Sequence, residues 1–237
     1  MVLSSELLHR LDVFLFGALP YVAMTVFFIV TIQRYRQDSF TYSSLSSQFL
    51  ENRQHFWSLV PFHYGLLVVL AGHVVAFLIP RSILAWNARP MRLYVLEVTA
   101  LICGILTVVG LIMALTRRSR SNKVRGVTTM SDWVLFAILL FQVTTGVLMA
   151  VFVGWGSSWF AAAVAPYLWS LVKLQPEINF VIGMPWLVKL HIVSAWVLIG
   201  FFPFTRLVHV LVVPNQYLWR RMQVVRWYGF RSAPGAK

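Results

Sequence analysis

Four histidines stand where histidine is expensive. His63 and His73 lie in the apolar stretch FHYGLLVVLAGHVVAFLIP, and His191 and His209 in LHIVSAWVLIGFFPFTRLVHVLVVP. Ionisable side chains in such runs usually face a bundle interior and serve a function. The ten-residue step from His63 to His73 corresponds to about 15 Å of helical rise, and the eighteen-residue step from His191 to His209 to about 27 Å and five whole turns, which puts the second pair on one face. If the two stretches run antiparallel, His63 meets His209 at one depth and His73 meets His191 at another. Two neutral imidazoles suit few metals, since zinc wants four protein ligands and no Cys or carboxylate lies near either pair in sequence. Haem needs only axial ligands, because the porphyrin supplies the other four nitrogens. Bis-histidine ligation closes both axial positions and favours electron transfer. The unequal rises require tilt or bend, for which Pro203 is a source. Their mean, roughly 20 Å, fits two planar cofactors stacked across a hydrocarbon layer about 30 Å thick.

The rest of the chain supplies elements to hold them. Of 237 residues, 59% are hydrophobic and only 11% are Asp, Glu, Lys or Arg, well below the roughly 25% charged residues of soluble domains. Apolar runs of spanning length, about 20 residues, occur at 12–32, 56–79, 93–116, 133–153 and 186–213. The fold class is therefore all-α, an integral membrane bundle of five transmembrane helices forming a single domain over 1–237. The longest polar stretch, at 33–54, is too short to build its own core. The first run lacks the basic head and small-residue cleavage pattern of a secretory signal, so it is expected to remain as a helix. Cys103, the single cysteine, reads as a packing residue.

A net charge of +13 suggests nucleic acid until its distribution is followed. The twenty basic residues are dispersed between apolar runs and form no clustered soluble face, so nucleic acid is not an expected partner. Fourteen of them fall in three alternate segments: Arg34, Arg36 and Arg53; Arg117 to Arg125; and Arg206 onward, including Arg220, Arg221, Arg226 and Arg231. The positive-inside tendency puts those segments in the cytoplasm, with the amino terminus outside and the carboxyl terminus inside. The tail, about 214–237, mixes bulky apolar and basic residues. It reads either as a helix on anionic lipid or as a docking arm for an acidic cytoplasmic subunit.

Several residues are placed to serve a bound cofactor. Haem propionates want cationic partners, and arginine suits carboxylates best. Arg206, three residues before His209, and Arg117, Arg118 and Arg125 share the inner side, while Arg81, Arg89 and Arg92 are nearer His73. Gly65, Gly72 and Gly200 offer points where a macrocycle can approach the backbone. Glu97, the one acid well inside an apolar run, reads as a proton relay or as a helix-end acid touching water. His9 and His55, at run edges, read as interfacial anchors, as do the aromatics of the connection 154–185, where a short surface helix is expected near 158–172.

The sequence also resembles the gamma subunit of respiratory nitrate reductase, a dihaem cytochrome b membrane anchor, over nearly the whole chain. The matching residues are SSQFLE at 46–51, FHYGLL followed by GHVVAFLIP, VRGVTTMSD at 124–132, LHIVSAW, and FPFTRLVHVLVVPNQYL at 202–218. The resemblance implies five helices with the amino terminus outside, in the cytoplasmic membrane of a prokaryote. It implies two b-type haems, the inner one on His63 and His209 and the outer on His73 and His191. Quinol is then oxidised beside the outer haem, and electrons pass inward to an iron–sulfur subunit that feeds a molybdenum catalytic subunit. Gly72 and Arg92 match positions near the quinol site, with Arg92 replacing the expected lysine; the charge is kept and the donor geometry altered. The connection at 154–185 departs from the family form.

Two other readings share the histidines. Similar anchors serve nitrite-oxidising enzymes, with electrons running the opposite way, and related cytochromes pair with sulfur-cycle or heterodisulfide-type enzymes. From a different class, a transporter or proton channel would use the histidines as relays and bind no pigment.

Overall fold

In the computed structural model, residues 2–38 and 53–212 are described, with side chains at 6–38 and 56–211. The side chain of His55, most of the 33–54 stretch with its SSQFLE motif, and the tail at 214–237 lie outside the described residues. All regular structure among the described residues is helical. An apolar medium offers the backbone no partners, so each spanning run must close its hydrogen bonds within itself. Among the described residues, five helices are long and apolar enough to cross a membrane, which makes the chain a multi-pass membrane protein in composition and architecture.

The first span consists of α1 (Val2–Val13), a π turn at Phe14–Ala18 and α2 (Leu19–Gln37). It is much longer than the apolar run at 12–32, because polar flanks at both ends continue the helix. The second is α3 (Arg53–Leu78), followed by the short α4 (Pro80–Asn87) and then α5 (Pro90–Arg120). Prolines set those boundaries. The residue before proline is pushed out of helical geometry, as at Ile79 (φ −129°) and Arg89 (φ −104°, ψ 120°), and each proline then opens the next helix, where its missing N–H costs nothing. After α6 (Asn122–Gly126), α7 (Met130–Phe152) starts at a reciprocal cap: Thr129 Oγ1 accepts from the Asp132 amide at 3.3 Å, and Asp132 Oδ2 accepts from the Thr129 amide at 2.9 Å.

The connection to the last span folds as α8 (Gly156–Trp159), a π turn at Phe160–Val164, α9 (Ala165–Val172) and α10 (Asn179–Ile182). The expected helix is there, but it is not a surface helix. Ala161, Val164, Ala165, Tyr167 and Leu171 are buried, and most of them join Phe16, Met149, Val188 and Ile192 in one core cluster. Pro20 explains part of this docking. It has no N–H to return to the Phe16 carbonyl four residues back, and Tyr167 Oη donates to that carbonyl at 2.7 Å. Tyr21 Oη donates to Leu171 O at 3.1 Å, beside the Leu174 amide that donates to the same carbonyl at 3.0 Å near the end of α9. Burial pushes the Tyr167 phenol above its ordinary range, so it stays a donor at neutral pH.

The second core cluster lies toward the other end, where Phe62, Leu111, Leu135 and Leu139 meet Phe136, Phe201 and Leu207. Here α3 and α5 approach closely. A Cβ on Gly110 would lie 2.6 Å from Phe62 N and 2.7 Å from Ser58 O, and one on Gly65 would lie 2.5 Å from Cys103 O. Small residues allow this close helix contact in lipid. Gly65 therefore serves helix packing and leaves no room for a macrocycle. Gly200 likewise faces Ala23 Cα at 3.5 Å, joining the last span to α2.

The last span is the chief departure from expectation. Its α-helix, α11 (Trp186–Phe201), stops well before 213; a 3-10 turn at Phe202–Phe204, an extended Thr205 (ψ 178°) and a second 3-10 segment at Arg206–Val212 follow. Pro203 breaks the ladder, and Arg34 Nη1 reaches across from α2 to donate to Pro203 O at 2.6 Å and Thr205 O at 2.9 Å. His191 and His209 thus stand on different segments, and the rise of an unbent helix does not apply between them.

Candidate functional site

α3 packs chiefly on α5, and α11 on α7 and α2; α3 and α11 do not pack closely on each other among the described residues. His63 and His73 sit on α3, His191 on α11, and His209 on the 3-10 segment that follows it. His63 and His73 are exposed on α3 although both lie in mid-span, and His191 and His209 are half-buried.

Three of the imidazoles are held alike. His63 Nδ1 lies 2.7 Å from Leu59 O, His73 Nδ1 2.8 Å from Val69 O, and His209 Nδ1 2.6 Å from Arg206 O. A carbonyl only accepts, so Nδ1 carries the proton in each, and the lone pair is left on Nε2, aimed away from the ring's own helix. The rings also lean on aromatics: His63 edge-on to Phe62 at 5.0 Å, His73 edge-on to Phe160 at 5.2 Å. Phe160 belongs to the connection helix, so that element wedges one wall of the His73 site.

His191 is held by a different span. Its Nδ1 is 2.9 Å from Thr145 Oγ1, and Gln142 Nε2 lies 3.1 Å from its Nε2, both partners being on α7. Ser194 Oγ donates to Gln142 Oε1 and also lies 3.1 Å from His191 O. Gly146 makes room, since a Cβ there would press within 3.2 Å of His191 Cε1. At the other end Phe62, next to His63, and Leu207, two residues before His209, share one apolar cluster. No group of three or more His, Cys, Asp or Glu side chains that could hold a metal ion occurs among the described residues.

Other expected contributors have definite places. Asp132, only 2% exposed, gathers Arg206 (Nε to Oδ1, 2.9 Å) and Arg118 (3.8 Å). Arg206 also donates to Val127 O at 2.8 Å, and Arg118 to Thr128 Oγ1 at 3.0 Å while lying 4.9 Å from the Phe136 ring centroid. Arg117, beside them on α5, is buried. The knot ties the ends of α5 and α7 to the segment bearing His209. At the His73 end Glu97 is anchored: Oε1 accepts from the Ser157 amide at 2.8 Å and from its hydroxyl at 2.6 Å. Ser157 and Ser158 in turn accept from Asn87 Nδ2 at 2.9 and 3.0 Å. Gly72 has open space beside it, and Arg92 stacks over Trp86 at 4.9 Å. His9 is exposed near the start of the first span.

Sequence reasoning passed over Gln142, Thr145, Gly146 and Ser194. The signal was present in FQVTTG, an amide, two hydroxyls and a glycine within two turns of an apolar run, where each polar group needs a partner.

Comparison with known proteins now bears on this geometry: residues 12–228 match the nitrate reductase gamma subunit family. The chain belongs to that family. It is 33% identical to the nitrate reductase gamma chain of Bacillus subtilis over 216 residues, covering 90% of this chain and 96% of that one. Identity is also 33% to the respiratory nitrate reductase 2 gamma chain of Escherichia coli, over 93% of this chain and 99% of the relative. A nitrate reductase-like protein NarX of Mycobacterium tuberculosis is 31% identical over 87% of this chain, which spans 32% of that longer protein. The match to the nitrate reductase gamma subunit family takes in all four histidines.

Proposed function

We propose that this gamma-family chain is a dihaem cytochrome b subunit that oxidises quinol near the outer membrane face and passes electrons inward to an iron–sulfur subunit of a molybdenum nitrate reductase. The observation that carries the reading is the shared state of His63, His73 and His209, each with Nδ1 tied to a backbone carbonyl and Nε2 left with its lone pair. That donor set fits haem and suits a lone zinc poorly, because paired neutral imidazoles meet the axial demand and nothing more. The open space beside Gly72 and the loose approach of α3 to α11 agree with a planar group between them.

His63 and His209 would hold one haem, on the cytoplasmic side, and His73 and His191 the other, on the outer side. When bound, haem supplies reversible one-electron transfer at each level. The protein's part is to set ligand orientation, burial and nearby charge, which tune potential. Backbone carbonyls fix three of the rings before any ligand arrives. At His191 the Gln142 amide must leave Nε2 for its lone pair to be available.

Arg206 and Arg118 give the inner site net positive charge around Asp132, which favours propionates there. Gly72 and Arg92 border the place proposed for quinol, and Glu97 with Ser157 stands at the same end as an acceptor for a released proton. The distribution of Lys and Arg supports an amino terminus outside, and with that orientation oxidation at the His73 end would release protons outward while electrons go inward. Sequence identity to nitrate reductase gamma chains favours nitrate as the terminal acceptor, reduced on a partner subunit. A dithionite-reduced minus oxidised spectrum of the purified chain tests the reading: two b-type haems per chain are expected, and a colourless preparation would refute it.

A further inference from the structure

The fourth span contributes to the site through hydrogen bonds that the histidine spacing does not reveal. Thr145 Oγ1 lies 2.9 Å from Phe141 O, 2.9 Å from Gln142 O and 2.9 Å from His191 Nδ1. A hydroxyl has one proton. With that proton directed to the backbone carbonyls, the oxygen meets the imidazole as an acceptor, and His191 must donate from Nδ1.

The opposite side of the ring agrees. Gln142 Nε2 can only donate, and it faces His191 Nε2 at 3.1 Å. It takes this orientation when the single Ser194 proton goes to its Oε1 and not to His191 O, 3.1 Å away. A proton on Nε2 would put two donors face to face. With those proton directions, both contacts agree on the tautomer with Nδ1 protonated and Nε2 a lone pair. Gly146 removes the Cβ that would push the ring out of this arrangement.

We propose that Thr145 is the positioning residue of His191: its hydroxyl holds the Nδ1 proton, chooses Nε2 as the ligating atom and raises the donor strength of the imidazole. The other three histidines obtain this from carbonyls of their own segments, which no side-chain substitution removes. His191 alone obtains it from a side chain on another span, so the potential of its haem can be altered by one hydroxyl. Ligand-orienting partners of this kind tune both ligand basicity and affinity. The inference rests on the dihaem reading above.

The test uses the full chain purified in detergent, with potentiometric titration of both haems in the unmodified protein, Thr145→Val and Thr145→Ser. Valine keeps the shape and removes the acceptor; serine keeps the acceptor. A weaker donor stabilises ferric iron less, so Thr145→Val should raise the midpoint of the haem at His73 and His191. On the order of a tenfold rise in its reduced-to-oxidised ratio at fixed potential is expected, which is 59 mV for a one-electron couple. The haem at His63 and His209 should not move, and Thr145→Ser should restore the unmodified value. Loss of only the first haem in Thr145→Val, restored by serine, supports the same role. An unshifted potential in Thr145→Val, an equal shift of both haems, or a serine variant that behaves like valine overturns it. An unmodified chain that binds no haem would instead sink the dihaem reading, and this inference with it.

Discussion

The two ends of the bundle hold their histidines by different means. At the His73 end, side chains from elsewhere take part: His73 keeps its own Val69 O but leans on Phe160 of the connection helix, and Thr145 and Gln142 of α7 hold His191. At the His63 end both rings lean on their own backbones, at Leu59 O and Arg206 O. What needs holding there is the backbone itself, because α11 has already ended at Phe201. Arg34 caps the break, and Asp132 fastens Arg206 from the other side. One site is tunable by single side chains, while the other is as stable as the broken segment that carries it.

That contrast can be broken most severely where α3 leans on α5. Gly110 faces backbone atoms of Phe62 and Ser58 that cannot swing aside, so Gly110→Leu should cost at least about 3 kcal/mol, the upper part of the overpacking range. Both ends depend on α3, and the variant should fail to accumulate or should lose both haems, read from pigment per chain in membranes.

Asp132→Asn comes next and should separate the ends. It leaves Arg206 and Arg118, both largely buried, without their carboxylate, and removing one partner of a buried pair costs about 3–5 kcal/mol. The haem at His63 and His209 should be lost or its band broadened, with the other spectrally intact. An unchanged inner band would show that the knot does not position His209.

Tyr167→Phe is the smallest of the three and acts at the opposite end. It strands the Phe16 carbonyl that Pro20 cannot use, a loss of about 1–3 kcal/mol for a buried unsatisfied group. A lowered melting temperature is expected, with the His63-end spectrum unaltered.

Much of this was legible in the residues. Spans could be read from hydropathy because lipid permits a backbone almost nothing but helix, and the histidines stood out because imidazole is costly there. Pro203 was legible as a bend but not as the end of the α-helix; a 3-10 and extended stretch over 202–212 depends on Arg34, distant in sequence, donating to the carbonyls of Pro203 and Thr205. Glycine was misread at Gly65 and Gly200, since a missing Cβ signals close approach without saying to what, and both face neighbouring helices. The helix expected near 158–172 looked like a surface helix because its aromatics suit an interface; the Phe16 carbonyl that draws Tyr167 inward is 151 residues away. The arginines drew attention as charges for a ligand, and only the fold reveals that Asp132 engages Arg206 and Arg118.

The central claim is that two imidazole pairs at two levels each hold a haem of their own. Reduced-minus-oxidised spectra with haem counts on His73→Leu and His63→Leu test it most directly. Each variant should keep one haem, and the two survivors should differ in band position and potential, the first matching the inner haem of the unmodified chain and the second the outer. If either variant kept both haems, or if both variants lost the same one, the pairing of His73 with His191 and of His63 with His209 would be wrong.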